Sequence, residues 1–196
     1  MFFKRIEDEG LAHFSYIIGE GNEALVIDPR RDVEIYIQLA KKNNLNIKYI
    51  LETHRNEDYV IGSTPLAERT GAEIWHSDRE LNYKYGKEVH EGQIWEIGNK
   101  KVKAISTPGH TPDSFSYLLY NNEHPWMVFT GDLLMAGDVG RVDFLGEDML
   151  DIMAGKLYDS IYSKILPLGD EVLLWPAHGV GSACGSKIAD RKWTTI

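Results

Sequence analysis

The sequence predicts one domain of mixed α/β class, and three observations point there. The chain has 196 residues, 43% of them hydrophobic, which is enough to close a core without disulfides or a structural metal. Short β-rich runs bounded by Gly, Asn and Pro alternate with a few segments of helical period. No internal repeat or low-complexity stretch interrupts that alternation. The pattern itself leaves a layered α/β arrangement and a segregated α+β one open.

Taken in order, residues 14–18 and 24–27 are apolar strands, and Gly19-Glu20-Gly21-Asn22 between them reads as a hairpin turn. Asp28-Pro29 closes the second strand. Asp32 is the expected N-cap of a helix reaching about Asn43, with Val33, Ile35, Tyr36, Leu39 and Ala40 on its apolar face. A strand over 47–51 runs into the polar stretch Glu52-Thr-His-Arg-Asn-Glu-Asp. Leu66 and Ala67 then belong to a short helix ended by Gly71. The second half brings strands at 74–75, 93–97, 102–106, 114–120 and 126–130, the longest helix over 147–166, and a last strand at 171–175. Residues 186–196 are polar and form no terminal helix, so the whole of 1–196 reads as a single domain, natural or excised from a longer chain.

Charge narrows the partners. Lys and Arg total 21 against 30 Asp and Glu, a formal charge of -9. That balance argues against nucleic acid, whose phosphates need Lys and Arg, and against an anionic membrane surface. No apolar run approaches the ~20 residues of a membrane span, and no apolar core follows Lys4-Arg5 to make a secretion signal. The single cysteine, Cys184, excludes an internal disulfide, a cysteine zinc knuckle and a CxxC centre. A reducing, cytoplasmic location is the expectation.

Chemistry-bearing residues gather at strand ends. His54 and Asp58 follow the strand 47–51, His110 follows 102–106, Asp132 follows 126–130, and His178 follows 171–175. Loops leaving the same strand ends meet at one edge of a sheet, where ligands bind. Gly109, Gly131 and Gly179 adjoin three of these side chains. A residue at any one of these four strand ends is ordinarily a cap or a surface residue. Together they read as a metal site.

Thr53-His54-Arg-Asn56-Glu-Asp58-Tyr59, followed by His110, Asp132 and His178, resembles the metal-binding motifs of the metallo-β-lactamase superfamily over nearly the whole chain. Gly140-Arg141-Val-Asp143 and the run from Pro176-Ala-His-Gly to Gly181-Ser-Ala-Cys-Gly look like its persulfide dioxygenase branch, in particular the bacterial enzymes that carry a following rhodanese sulfurtransferase domain. The resemblance implies an αββα sandwich of two mixed sheets between helices, with the metal at one edge. It also implies one Fe(II) per chain on His54, His110 and Asp132, acting on a small-molecule thiol persulfide with O2. The superfamily pattern His-x-His-x-Asp-His is broken here, since Asn56 and Tyr59 replace two of its histidines. A neutral amide and a phenol are poor ligands, so a two-metal hydrolase loses support. Two histidines and a carboxylate with open positions remain, the set used by non-haem Fe(II) oxygenases.

Other residues carry two readings each. Asp58 and His178 either orient a ligand or a bound water by hydrogen bonds or form a vestigial pair. Tyr59 either donates its hydroxyl to a bound ligand or fills the space of the histidine it replaces. Arg141 and Asp143 form a structural pair, or Arg141 meets a substrate carboxylate. Cys184 is inert packing or a redox thiol. His13, His76, His90 and His124 match no ligand position and are expected at the surface or in packing. Rival functions are a zinc thioester or ester hydrolase of the glyoxalase II type, an oxygen-binding di-iron protein of flavodiiron type, and a degenerate non-catalytic domain. The oligomeric state stays open, a homodimer being the commonest closed assembly.

Overall fold

The computed structural model describes residues 1–55, 59–77, 84–191 and 193–196. Strands β1 (Phe2–Asp8), β2 (His13–Glu20), β3 (Glu23–Ile27), β4 (Asn46–Leu51), β5 (Glu73–His76) and β6 (Lys87–Glu88) form one sheet in sequence order. The first three make an antiparallel meander and the others add in parallel. Parallel pairing needs crossovers. These are α1 (Glu34–Lys42), between β3 and β4, and α2 (Ser63–Thr70), between β4 and β5. The second half supplies β7 (Ile94–Ile97), β8 (Lys100–Ser106), β9 (Phe115–Asn121), β10 (His124–Gly131), the small hairpin β11 (Leu134–Met135) and β12 (Asp138–Val139), α3 (Leu150–Ser160), β13 (Leu173–Pro176) and β14 (Thr194–Thr195). Its main sheet has the order β14-β13-β10-β9-β8-β7.

Side-chain alternation builds the layers. In β2, Phe14, Tyr16 and Ile18 enter the core between the sheets, whereas Ile17 turns to the side covered by α1 and α2. In β9 and β10, Tyr117, Leu119, Met127 and Phe129 face the first sheet, and Leu118 and Val128 pack with Leu157 and Ile161 on the other face. A period of two with both faces apolar is what a sheet buried on both sides requires. The result is helix, sheet, sheet, helix: the αββα sandwich. No helix among the described residues is long and apolar enough to cross a membrane.

Three local expectations change. Asp32 does not cap α1: Val33 occupies that position without a side-chain cap, and the Asp32 carboxylate pairs with Arg30 at 3.2 Å instead. The helix expected over 147–166 is α-helical only from 150 to 160. A 3₁₀ turn precedes it, and a π-turn over 161–165 and a 3₁₀ turn around Pro167 follow, because proline lacks the N–H that an α-helical ladder needs. Residues 2–8, not read as a strand, pair along their whole length with β2.

Strand directions place the site. β9 is antiparallel to both β8 and β10, and β13 is parallel to β10, so the C-terminal ends of β8, β10 and β13 share one edge. Two buried tyrosines fasten that edge to the first sheet. Tyr16 on β2 donates to the Pro176 carbonyl at 2.5 Å, and Tyr117 on β9 donates to the Glu52 carbonyl, just past β4, at 2.7 Å.

Candidate metal centre

His54, His110 and Asp132 meet at this edge, all buried, with their ligating atoms within 4.8 Å of one another. The Nε2 atoms of His54 and His110 stand 3.6 and 3.5 Å from Asp132 Oδ2. The opposite nitrogen of each ring is engaged. His110 Nδ1 lies 2.8 Å from the Arg141 carbonyl, which can only accept, so that nitrogen carries the proton and Nε2 keeps its lone pair. His54 Nδ1 lies 2.8 Å from Thr53 Oγ1, whose own proton goes to Asp28 Oδ2 at 2.7 Å. His54 Nδ1 therefore donates to Thr53, and its Nε2 keeps its lone pair as well.

Two lone pairs and a carboxylate oxygen then converge on one point. Without a cation or a proton they repel. Ligands about 2.1 Å from a common ion stand about 3.0 Å apart at right angles and about 3.4 Å apart at tetrahedral angles, close to the separations found. The donor set suits Fe(II) or Zn(II).

Asp132 is the hub. Its carboxylate accepts from His178 Nδ1, 2.8 Å from each oxygen. Burial would raise this carboxyl, but the charge and hydrogen bond of His178, joined by His54 and His110, hold it well below the usual range. Behind His54, Asp28 accepts the Thr53 hydroxyl and the Thr53 N–H, the latter at 2.8 Å. Burial pushes the Asp28 carboxyl up to about 7, against the two Thr53 bonds that lower it.

Backbone geometry delivers these side chains. Gly131, at the end of β10, has φ +57, and a Cβ there would stand 2.7 Å from Thr53 Oγ1. At Gly140 a Cβ would overlap the Asp132 carbonyl and stand 2.8 Å from His110 Nδ1. Only glycine lets that loop bring the Arg141 carbonyl to His110.

The remaining expected residues divide. Asn56 and Asp58 lie outside the described residues. Tyr59 packs on His13 with ring centroids 4.0 Å apart, and His13 reaches toward His178 at 5.5 Å. Arg141 and Asp143 form a two-pronged ion pair at 2.6 and 2.8 Å, with the guanidinium over Phe144, whose ring meets His110 edge-on. Cys184 is buried with its sulfur near Asp132 and His178. Of the four histidines that match no ligand position, His90 and His124 are exposed, and His76 and His13 are buried, His13 beside His178.

Sequence reasoning missed Asp28, Thr53 and His13 as neighbours of the centre. Asp28 sits at the end of β3, so the strand-end criterion applied to the other acids would have found it. His13 starts β2, which runs antiparallel to β3. Its beginning therefore reaches the edge where its neighbours end.

Fold and site together define a class of αββα sandwich with a candidate metal centre of two histidines and an aspartate at one edge. Residues 8–178 match the family model described as the metallo-beta-lactamase superfamily, and the chain belongs to that superfamily. Curated relatives fall into two groups. Hydroxyacylglutathione hydrolase GloC of Haemophilus influenzae is 27% identical, with 88% of each chain covered. Human mitochondrial persulfide dioxygenase ETHE1 is 31% identical over 84% of this chain and 63% of its own length. Among solved structures, a metallo-beta-lactamase from Staphylococcus aureus superposes with TM-score 0.90 at 36% identity, covering all of this chain and 60% of that one. ETHE1 from Myxococcus xanthus superposes with TM-score 0.81 at 31% identity, covering 95% and 79%. This chain thus spans under two thirds of the human dioxygenase and of the Staphylococcus chain.

Proposed function

We propose that the chain is a mononuclear non-haem Fe(II) dioxygenase that oxidises the sulfane sulfur of a low-molecular-weight persulfide. The observation that carries this reading is the convergence of His54, His110 and Asp132, with His178 spent on a hydrogen bond to Asp132. Asn56 and Tyr59, where two further histidines would complete a pair of zinc sites, support it. So does the likeness to ETHE1 in sequence and structure.

The net reaction balances as R-S-SH + O2 + H2O → R-SH + sulfite + two protons. Sulfur is oxidised and O2 is reduced, so no further reductant is needed. Bound Fe(II) would supply open positions for the terminal sulfur and O2 and the electronic coupling that ground-state O2 lacks toward a paired-electron nucleophile. The chain does the rest. Thr53 and the Arg141 carbonyl fix the tautomers and angles of the two imidazoles. His178 holds the Asp132 carboxylate in place through both oxygens. Burial of all four side chains keeps competing water away.

The likeness to the Haemophilus hydrolase over 88% of both chains favours a second reading, a zinc-dependent thioester hydrolase. One experiment separates the two. Protein reconstituted anaerobically with Fe(II) is given glutathione or coenzyme A persulfide, and oxygen uptake and sulfite are followed. Uptake matched by sulfite supports the dioxygenase. Zinc-dependent hydrolysis of a glutathione thioester, with no oxygen consumed, replaces it with the hydrolase.

A further inference from the structure

We propose that the cleft beside Tyr59 binds the far end of the carrier molecule, and that this end is a free amino acid with ammonium and carboxylate both intact. The inference rests on the reading of the centre as one that takes a sulfur-bearing small molecule. The cleft has a volume of about 620 Å³, within the ~300–1,000 Å³ usual for small-molecule sites. Asp8, Arg30, Arg31 and Asp32 supply its charges, and Leu11, Tyr59 and Val60 its apolar walls.

Strand directions put this cleft at the edge that carries the centre. β1 and β3 are both antiparallel to β2, and β4 is parallel to β3. The C-terminal ends of β1, β3 and β4 therefore share one side, where Asp8 ends β1, Arg30 follows β3 and Tyr59 follows β4. Tyr59 is the wall that faces both ways. Its ring packs on His13 at 4.0 Å, and His13 stands 5.5 Å from His178, which holds Asp132. A carrier lying across these rings spans about 10 Å, the length of about three extended residues. The frame is fixed before a ligand arrives. Gly62 N–H donates to the Pro29 carbonyl at 2.6 Å, Arg30 N–H to the Tyr36 hydroxyl at 2.9 Å, and Gly10 N–H to Asp8 Oδ1 at 3.1 Å. Such pinning lowers the ordering cost of binding.

Charge selects the ligand. In a chain of formal charge -9, this cleft gathers two guanidinium groups. Arg30 is shared among the Glu7 carbonyl at 3.2 Å, Asp32 at 3.2 Å and Asp8 at 3.9 Å, and its buried Nε has no hydrogen-bond partner. Arg31 is exposed and makes no ion pair among the described residues. A phosphate-rich carrier would meet Asp8 and Asp32 beside the arginines, and a lone amine would meet the arginines. An amino-acid zwitterion satisfies both signs: its carboxylate takes Arg31, and its ammonium lies between Asp8 and Asp32. Leu11 and Val60, 40% and 65% exposed, give apolar cover to the carbon chain between them and the centre.

The test is anaerobic calorimetric titration of the Fe(II)-loaded protein with S-methylglutathione, whose sulfur is blocked and whose amino-acid end is free. Its N-acetyl derivative lacks the ammonium, and desulfo-coenzyme A offers a phosphate-rich carrier without sulfur. The expected result is that S-methylglutathione binds and that both comparison ligands bind at least about tenfold more weakly. Arg31→Glu should weaken S-methylglutathione by about tenfold, the scale of a lost charged hydrogen bond, and Arg31→Lys should recover part of that loss. Melting temperature and metal content show that each variant has folded. Unchanged binding in Arg31→Glu overturns the site, as does equal affinity for the N-acetyl derivative. Tighter binding of desulfo-coenzyme A, or no binding of S-methylglutathione by wild type, also overturns it. Ethyl persulfide, which has no amino-acid end, tests the chemistry apart from the cleft. Oxygen uptake and sulfite from it keep the dioxygenase reading even where the cleft fails. Binding as expected, with no oxygen consumed on any persulfide, keeps the cleft and removes the dioxygenase.

Discussion

Replacing Thr53 with valine removes one hydroxyl and leaves the shape of the side chain nearly unchanged. That hydroxyl links the buried Asp28 carboxylate, 2.7 Å away, to the Nδ1 of His54, 2.8 Å away. Both partners lose their bond in a site where water does not replace it. Leaving a buried polar group unsatisfied costs about 1–3 kcal/mol, and here there are an acceptor and a donor. The Asp28 carboxyl, already at about 7, moves further up because a bond that lowers it is gone. At neutral pH it is then protonated, and its negative charge no longer reaches the imidazole through the hydroxyl. Loss of such an outer partner weakens metal binding about 10–100-fold, or about 1.4–2.7 kcal/mol. Competition with a chromophoric chelator measures that affinity, and thermal melts of the metal-free protein measure the stability. Thr53→Ser restores the hydroxyl and should recover most of both. Metal affinity within about twofold of wild type in Thr53→Val would refute the claim that this relay positions His54.

Burial pushes the Glu52 carboxyl up to about 7, although Ser63 and Tyr85 lower it. The folded protein thus holds a proton there that the unfolded chain releases at about pH 4.3, and this stabilisation fades as pH rises through about 7. Between pH 6 and 8 the loss is about 1.4 kcal/mol, and Glu52→Gln should flatten the melting profile of metal-free protein over that range; an unchanged slope counts against the assignment. Gly131→Ala forces an L-residue to φ +57 and sets its Cβ 3.2 Å from His54 Nδ1. A backbone cost of about 1–3 kcal/mol and a sharp fall in bound metal should follow, read by melts and elemental analysis. Asp143→Asn breaks only an ion pair whose partners are 44% and 46% exposed, so melting temperature and metal content should both hold. Lost metal in that variant would mean that the pair braces the His110 loop.

The strands were legible because their residues alternate so regularly. Phe14, Tyr16 and Ile18 against Ile17 assign both faces of β2 without any tertiary information. The candidate ligands His54, His110 and Asp132 were legible because each follows a strand, and two of them adjoin a glycine. What the sequence concealed depends on partners distant along the chain. β1 reads as an unremarkable Phe-Phe-Lys-Arg run until β2 is there to pair with it. Asp32 has the composition of an N-cap, but Arg30, two residues away, takes its carboxylate. Thr53 stands beside His54 in sequence, yet its role needs Asp28, which lies 25 residues earlier. Cys184 looks like any single buried thiol until the β10 and β13 loops set Asp132 and His178 beside it.

One carboxylate accounts for the ambiguity between the two groups of relatives. Asp132 presents Oδ2 to a two-histidine face and both oxygens to His178. With His178 as a hydrogen-bond donor, the carboxylate belongs to one ion, and the open positions around that ion suit O2 chemistry. If His178 instead gives a lone pair to a second ion, the same carboxylate bridges, and a bridged pair of ions is how metal sites activate water for hydrolysis. Single-metal and two-metal chemistry therefore differ here by which nitrogen of His178 carries the proton and by the ligands the chain offers beside it. The superfamily pattern His-x-His-x-Asp-His ends in a histidine beside the acid. In this chain tyrosine takes the place of one such histidine, at position 59, and its ring packs against His13. That change removes one nitrogen from the second position of the pattern while leaving His54, His110 and Asp132 together.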